Sequence, residues 1–221
     1  MPILPTILRA RLGEIILLTL HIAWFQQVAF ISRLFHYHVE RFILKAGNVD
    51  MIFLLTGGRG SGKTAVCQRL AHQARAAGWD VAGLISPAVF DGGIKVAIDA
   101  LDLRSGERRR LAYPCTATTS PEELCTPAWC FDAATVAWGN QVLARATPCD
   151  LLIVDELGTL ELERDRGWTA GIVAVDANRY RQAWVVVRRE LLVVAQQLWP
   201  EAQLVEVAEA SQWTWPAVLG H

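Results

Sequence analysis

Residues 56–64 read Thr-Gly-Gly-Arg-Gly-Ser-Gly-Lys-Thr and contain the spacing G-x-x-x-x-G-K-T from Gly57 to Thr64. The apolar, strand-like run Met51–Thr56 precedes this stretch, and the helix-forming run Thr64–Ala77 follows it. Glycines let the backbone turn so that successive N–H groups point inward, and the start of a helix adds partial positive charge at the same place. The stretch therefore predicts a strand, a phosphate-binding loop and a helix in direct succession.

Each residue of this loop, called the phosphate loop below, is a candidate ligand of nucleotide phosphates. Its residues are Gly57, Gly58, Arg59, Gly60, Ser61, Gly62, Lys63 and Thr64. Lys63 is one of three lysines in a chain that otherwise uses arginine, and it places a compact charge against the β- and γ-phosphates. The Thr64 hydroxyl is predicted to bind Mg²⁺.

Two acids, Asp155 and Glu156, follow the apolar run Leu151–Val154. A buried strand of an open α/β sheet delivers such residues to its carboxyl end, beside the phosphate loop. Asp155 is predicted to hold Mg²⁺ through a water, and Glu156 to orient the water that attacks the γ-phosphate. Taken alone, the pair also fits the solvated start of a helix.

Arg188 and Arg189 follow the predicted strand Ala183–Val187. One of them, for which we choose Arg188, is predicted to stabilise charge on the transferring phosphoryl group. An ordinary pair of surface arginines is the alternative interpretation.

The chain from residue 51 alternates strand-like and helix-like segments, which predicts an α/β domain over residues 51–221 with a mostly parallel central sheet. Val81–Ile85 is predicted as a second strand, and turn signals within Val89–Leu111 predict an added antiparallel hairpin. Asp132–Ala146 and Trp168–Arg181 are predicted helices, and Gln203–Val207 a last strand.

Residues 1–50 are predicted to form an apolar helical extension. Residues 15–32 carry no formal charge, which approaches the length of a membrane-spanning helix. His21, Gln26 and Gln27 interrupt the run, so a membrane association is an open alternative that we do not favour. Met51 stands directly before the first strand, and a native start there would make residues 1–50 an artefact of the chosen start site.

The composition indicates which kinds of partner and which cellular compartment fit the protein. With 21 basic and 22 acidic residues the net charge is −1, so no nucleic-acid partner is expected. Five cysteines without a C-x-x-C spacing favour free thiols and a cytoplasmic, reducing location over a disulfide framework. Cys115, Cys125 and Cys130 cluster in sequence, and zinc binding with an added oxygen ligand is the alternative to free thiols there.

These segments together resemble the small P-loop nucleoside-triphosphatases of the THEP type, also called cancer-related nucleoside-triphosphatase. The resemblance covers about residues 51–210. It depends on four segments: Leu55-Thr56-Gly57 leading into Gly62-Lys63-Thr64, the hairpin region Gly83 to Gly106, the stretch DLLIVDELGTLE over Asp150–Glu161, and the strand ending in Arg188. Thr159 stands where a proline is common in the family, and Cys115–Cys130 matches no family feature.

The resemblance implies a P-loop NTPase three-layer sandwich and Mg²⁺-dependent hydrolysis of ATP or GTP to the diphosphate and phosphate, with broad base tolerance. Two alternatives use the same loop: a small-molecule or nucleotide kinase, and a nucleotide-gated binding or assembly module with slow hydrolysis. The sequence contains no recognisable base-reading motif, and it does not indicate an oligomeric state or a protein partner.

Overall fold

The computed structural model of the chain describes residues 51–115 and 124–212. The predicted extension over residues 1–50, with its apolar run 15–32, lies outside the described residues. In the part of the chain that the structure describes, each helix is too short or too polar to cross a bilayer.

The described residues alternate strands and helices as the sequence predicts. The strands are β1 (Met51–Thr56), β2 (Val81–Ile85), β3 (Ala88–Asp91), β4 (Ile94–Asp102), β5 (Arg108–Pro114), β6 (Trp129–Phe131), β7 (Leu151–Leu157), β8 (Gln182–Val187) and β9 (Gln203–Glu206). The helices are α1 (Lys63–Ala76), α2 (Ala133–Ala144), α3 (Thr159–Leu162), α4 (Thr169–Asp176), α5 (Leu192–Leu198) and α6 (Val207–Ala210), with a 3₁₀ turn at Arg189–Leu191.

All the described strands belong to one mixed sheet, in the order β6-β5-β4-β2-β7-β8-β1-β9, with β3 paired to β4. The run β2-β7-β8-β1-β9 is parallel, and β3 to β6 form the antiparallel part that joins β2 through β4. The predicted fold class, a mostly parallel α/β sheet with an added antiparallel part, is confirmed.

Strand β8 lies between β1 and β7. Neighbouring strands are about 4.8 Å apart, so β1 and β7 are separated by about 10 Å. Because β1, β7 and β8 are parallel, their carboxyl ends meet at the same edge of the sheet. The phosphate loop, the acid pair and Arg188 all follow or end these three strands, so the topology brings them to one place.

The central strands are buried on both faces, as their uninterrupted apolar sequences require. Alternate residues such as Phe53 and Ile153 pack in one core with Leu70 of α1. On the opposite face α4 approaches β7 closely: a Cβ added at Gly171 would lie 3.0 Å from Val154 Cγ1. The sheet is therefore a rigid layer between helices, and it fixes the positions of the loops at its carboxyl edge.

Helix α4 is shorter than predicted. The sequence predicts a helix over Trp168–Arg181, but α4 ends at Asp176. Asn178 adopts a left-handed conformation with φ of 48°, and the Tyr180 hydroxyl donates a hydrogen bond to the Val175 carbonyl at 2.7 Å. The chain turns here because it must enter β8 at Gln182, a tertiary constraint that helix propensity does not contain.

Other boundaries also differ from the prediction: α2 covers Ala133–Ala144 instead of Asp132–Ala146, and β8 begins one residue earlier, at Gln182. Strand β7 runs on through Asp155 and Glu156 to Leu157, and β9 ends at Glu206. The acid pair is therefore part of the strand and is held by the sheet.

The cysteines are not all free thiols. Cys125 and Cys130 form a disulfide, while Cys67, Cys115 and Cys149 are free, so the prediction of free thiols is wrong for one pair. Cys125 and Cys130 face each other in an isolated antiparallel bridge, which places their Cα atoms 4.2 Å apart. Their spacing along the chain does not reveal that pairing.

Gly83, in the middle of β2, is a position that only glycine fits. Its φ is +107°, and a Cβ there would lie 1.9 Å from the Ile153 carbonyl oxygen of β7. We expect Gly83→Ala to lower the free energy of unfolding by about 3 kcal/mol or more, because the two parallel strands must separate locally. Urea unfolding measures this loss.

Gly78→Ala is the matched control. Gly78 follows α1 with a φ of +82°, and nothing lies within 4 Å of its added Cβ. Its substitution adds backbone strain without a clash, and the expected loss is about 1 kcal/mol. Equal losses at the two positions would show that the contact with Ile153 has no role.

Candidate active site

A cavity of about 840 Å³ opens at the carboxyl edge of the parallel strands. Its wall includes the whole phosphate loop together with Asp155, Glu156 and Arg188. The structure thus brings together every site residue that the sequence predicts, from three separate parts of the chain. A cavity of this size lies within the usual range for small-ligand sites.

The phosphate loop has the conformation that an anion cradle needs. Gly60 and Gly62 have positive φ values of 72° and 93°, which glycine adopts readily. Gly57 is crowded, since a Cβ there would lie 2.7 Å from Ser61 Oγ. Gly62 begins α1 without a side-chain cap, and no acid stands in the first turn. The first N–H groups of α1 therefore have no side-chain partner and are available to an anion.

Lys63 lies across this loop. Its Nζ donates hydrogen bonds to the carbonyl oxygens of Gly57 and Gly58, each at 3.0 Å. These carbonyls hold the ammonium group within the cavity wall. A phosphate oxygen entering the cavity would replace these neutral acceptors with a charged one, which makes a stronger hydrogen bond.

Asp155 is almost completely buried, at 1% exposure. Its Oδ2 accepts the backbone N–H of Ser86 at 3.0 Å, its backbone carbonyl accepts the Ser86 hydroxyl, and its side chain hydrogen bonds with Thr64. Burial raises the pKa of Asp155 to about 6, although the bonds from Ser86 and Thr64 and the charge of Lys63 act in the opposite direction. A cation beside this carboxylate would stabilise its ionised form and offset the unfavourable effect of burial.

Glu156 is less buried than Asp155 and forms an ion pair with Arg188 Nε. Arg188 directly follows β8, the strand between the phosphate loop and the acid pair. Arg189 contacts a different acid, Glu206, at 2.9 Å. Of the two adjacent arginines, Arg188 is the one that the structure connects to the acid pair.

Comparison with known sequences identifies the family. A family model described as NTPase matches residues 52–207, which covers the phosphate loop, the acid pair and Arg188. The chain belongs to this NTPase family. Relatives named nucleoside-triphosphatase THEP1 confirm the resemblance to the THEP-type nucleoside-triphosphatases.

Relatives of this NTPase include two archaeal proteins named nucleoside-triphosphatase THEP1. The protein of Methanopyrus kandleri is 29% identical over 57% of this chain and 67% of its own length. The protein of Pyrobaculum islandicum is 30% identical over 56% of this chain and 63% of its own length. The chain therefore matches about two thirds of the length of these relatives.

The fold of this NTPase also has a solved counterpart. A solution structure of a human cancer-related nucleoside triphosphatase matches with a TM-score of 0.54 and 20% identity, over 72% of this chain and 88% of that one. At this identity the likeness shows the shared fold.

Several wall residues of this NTPase were not predicted from the sequence. Ser86 directly follows β2. A polar residue directly after a predicted apolar strand is the sequence signal that indicates this position. Lys95, near the start of β4, lies over the ring of Trp129 at 4.6 Å, and both line the cavity. Burial lowers the pKa of Lys95, as do the charges of Arg59 and Arg188. Nothing in the local sequence indicates that residues 126–129 reach the cavity.

Glu161 holds two loops of the NTPase site in place. Its carboxylate accepts the backbone N–H groups of Gly158 at 2.8 Å and Trp168 at 3.0 Å. Gly167 leaves room for it, since a Cβ there would lie 2.0 Å from Glu161 Oε1. Burial raises the pKa of Glu161. The residue ties the segment after Glu156 to the start of α4, which explains its place in the stretch DLLIVDELGTLE.

The donor set of this NTPase site fits Mg²⁺. Thr64 offers a hydroxyl oxygen and Asp155 a buried carboxylate, and the two are hydrogen-bonded to each other. Mg²⁺ prefers such oxygen donors, and it is commonly bound through one or two protein ligands together with substrate phosphates.

The buried carboxylate of Asp155 gives this NTPase a pH-dependent stability in the absence of metal. The pKa of Asp155 is about 6 in the folded chain, against an ordinary 3.8. At a pH between these two values, the Asp155 carboxyl is therefore more protonated in the folded chain than in the unfolded chain. The stability of the folded chain then falls as the pH rises towards 6, by up to about 3 kcal/mol. We expect Asp155→Asn, in a chelator, to be more stable than the wild type by about this amount at pH 8, and the difference to shrink towards pH 4.

Urea unfolding at pH 4 to 8 checks this expectation, with the exposed Asp91→Asn as the matched control. A gain at Asp155→Asn that is the same at every pH would contradict it, because the gain would not come from ionisation.

Proposed function

We propose that the chain is an Mg²⁺-dependent nucleoside-triphosphatase that hydrolyses ATP or GTP to the diphosphate and phosphate. The observation that carries this proposal is the convergence of the phosphate loop, Asp155, Glu156 and Arg188 on one cavity. The family membership supports the hydrolase class.

In this proposal the phosphate loop and Lys63 bind the β- and γ-phosphates. Thr64 and Asp155 would hold Mg²⁺, which supplies charge neutralisation to the phosphates when bound. Catalysis is then mostly positioning and electrostatic stabilisation, as phosphoryl transfer through a loose transition state requires.

Glu156 acts as the water-orienting base. The oxygen of a water attacks the γ-phosphorus, the bond to the bridging oxygen breaks, and the proton of the water passes to the Glu156 carboxylate. The ion pair with Arg188 holds the carboxylate at the cavity wall before the triphosphate arrives.

Arg188 stabilises the charge that develops on the transferring phosphoryl group. Its position after β8, between the phosphate loop and the acid pair, supports this role. We expect Arg188→Ala to lower kcat by about 100-fold, with a smaller change in KM. Steady-state kinetics test the choice of Arg188 over Arg189. Arg189→Ala is the control variant, because the Arg189 side chain pairs with Glu206. An equal loss of kcat in both variants would contradict the role of Arg188.

Broad base tolerance is supported by the remainder of the cavity wall, which includes the aromatic side chains of Phe90, Trp129 and Phe131. Phe90 is 63% exposed, so its ring is accessible to a ligand. Stacking on aromatic rings does not distinguish bases strongly, because every base has a π-face.

The test is a panel of ATP, GTP, CTP and UTP with and without Mg²⁺, with phosphate and diphosphate both measured. We expect equal amounts of the two products, rates within about tenfold across the bases, and loss of turnover in a chelator. Labelled ATP supplied with candidate acceptors tests the kinase alternative, since a kinase would label the acceptor ahead of free phosphate. Turnover that rises severalfold only with an added protein would instead indicate a nucleotide-gated module.

A further inference from the structure

Three cysteine sulfurs converge beside the antiparallel part of the sheet. The Sγ atoms of Cys115, Cys125 and Cys130 all lie within 4.8 Å of one another. Cys125 and Cys130 form the disulfide, and Cys115 Sγ lies 2.7 Å from Cys130 Sγ. A disulfide uses two of these sulfurs, so the third is left in contact with the bridge.

The backbone holds the cluster together independently of the disulfide. Cys130 pairs with Tyr113 in the β5–β6 ladder, and the Cys115 N–H donates to the Ala128 carbonyl at 3.1 Å. On the other side, the Phe131 N–H donates to the Leu124 carbonyl at 3.1 Å, next to the bridge between Cys125 and Cys130. Reduction of the disulfide would therefore leave three thiols in one place.

Three adjacent thiols form a ligand set for a thiophilic divalent cation. Sulfurs bound to one Zn²⁺ at about 2.3 Å lie about 3.8 Å apart in a tetrahedral arrangement, and the three sulfurs here already lie within a similar span. All three residues are partly buried, so an ion can reach them. Such sulfur ligands favour Zn²⁺ and disfavour Mg²⁺, which separates this cluster chemically from Thr64 and Asp155.

We propose that, with the disulfide reduced, Cys115, Cys125 and Cys130 form a three-thiolate site for Zn²⁺, with water as the fourth ligand. A dithiol reductant gives two electrons and two protons to the Cys125–Cys130 bond and is itself oxidised to its disulfide. Zn²⁺ then displaces three protons from the three thiols and forms three Zn–S bonds. The proposal is independent of the nucleotide chemistry.

The site adjoins the nucleotide cavity. Thr126 and Trp129, which line that cavity, lie between Cys125 and Cys130 in the sequence. Their backbones are joined by a hydrogen bond of 2.8 Å from the Thr126 N–H to the Trp129 carbonyl. A cation bound by the three sulfurs would fix both ends of this wall segment.

Co²⁺ titration of the full chain, reduced with dithiothreitol and then freed of it without air, tests the proposal. The sulfur-to-Co²⁺ charge-transfer absorption is expected to saturate at one equivalent and to disappear when Zn²⁺ is added. The unreduced chain is expected to lack this absorption, because two of the three sulfurs are blocked.

Cys115→Ser is the diagnostic variant, because it keeps the disulfide pair and hence the fold of the oxidised chain. We expect the reduced variant to bind Zn²⁺ at least about 100-fold more weakly. Cys149→Ser is the matched control, since Cys149 is a partly buried free thiol outside the cluster, and it should keep full affinity. No charge-transfer absorption in the reduced wild type, or equal affinity in Cys115→Ser, would overturn the proposal.

Discussion

Lys63→Ala is expected to lower kcat for triphosphate hydrolysis by about 1,000-fold. The Lys63 ammonium is anchored over the phosphate loop by two carbonyl oxygens, each 3.0 Å away. In the proposed reaction it is the charge that stays beside the β- and γ-phosphate oxygens while the bond between the γ-phosphorus and the bridging oxygen breaks. A charge held in place before the reaction stabilises the transition state more than a free ion in solvent does, because little reorganisation is needed as the charge develops.

The controls for this prediction separate charge from shape and position. Lys63→Arg keeps the charge but replaces a compact ammonium with a planar fork, so we expect most of the loss to remain. Arg181→Ala removes a cation at the amino end of β8, where it contacts Asp150 and Trp79, and it should leave kcat within about twofold. A Lys63→Ala rate within tenfold of the wild type would contradict the assignment of the phosphate loop.

The sequence predicts best those features that depend on neighbouring residues. β1, the phosphate loop and the start of α1 lie within one short segment, and glycines, apolar runs and helix formers act there over a few residues. Their bounds agree with the structure to within a residue. The strand Leu151–Val154 was visible for the same reason, since a strand buried on both faces must be apolar throughout.

Features that depend on distant parts of the chain could not be predicted. The placement of β8 between β1 and β7 brings Arg188 within reach of Glu156, but no local pattern encodes strand order. The Cys125–Cys130 disulfide follows from a backbone bridge, and the cavity wall at residues 126–129 from the pairing of β5 with β6. In each case the information lies in tertiary contacts that a single sequence does not express.

The two acids differ in environment in a way that separates their proposed roles. Asp155 is buried and hydrogen-bonded to Ser86 and Thr64, so its position is fixed and suits a metal ligand. Glu156 lines the cavity, and its carboxylate pairs with the half-exposed guanidinium of Arg188. A residue that must accept a proton during turnover needs such a replaceable partner, because its charge changes in each cycle.

Glu156→Gln is therefore expected to keep nucleotide binding and lose hydrolysis. Glutamine has nearly the same shape as glutamate and remains at the cavity wall, but it cannot accept the proton of the attacking water. We expect kcat to fall by about 100- to 1,000-fold, and the affinity for a triphosphate to change by less than about threefold. Single-turnover hydrolysis and equilibrium binding of a triphosphate, measured on the same preparation, check the two halves of this expectation.

Glu163→Gln is the matched control, because Glu163 is exposed and follows α3 outside the cavity wall; its kcat should equal that of the wild type. The double variant with Arg188→Ala adds a second criterion. If Arg188 acted only by holding Glu156, the double variant would be no slower than Glu156→Gln. If Arg188 also stabilises phosphoryl charge, the double variant is expected to be slower by a further factor of about ten or more. An undiminished rate in Glu156→Gln would show that the base is another residue, while leaving the roles of Lys63 and Asp155 intact.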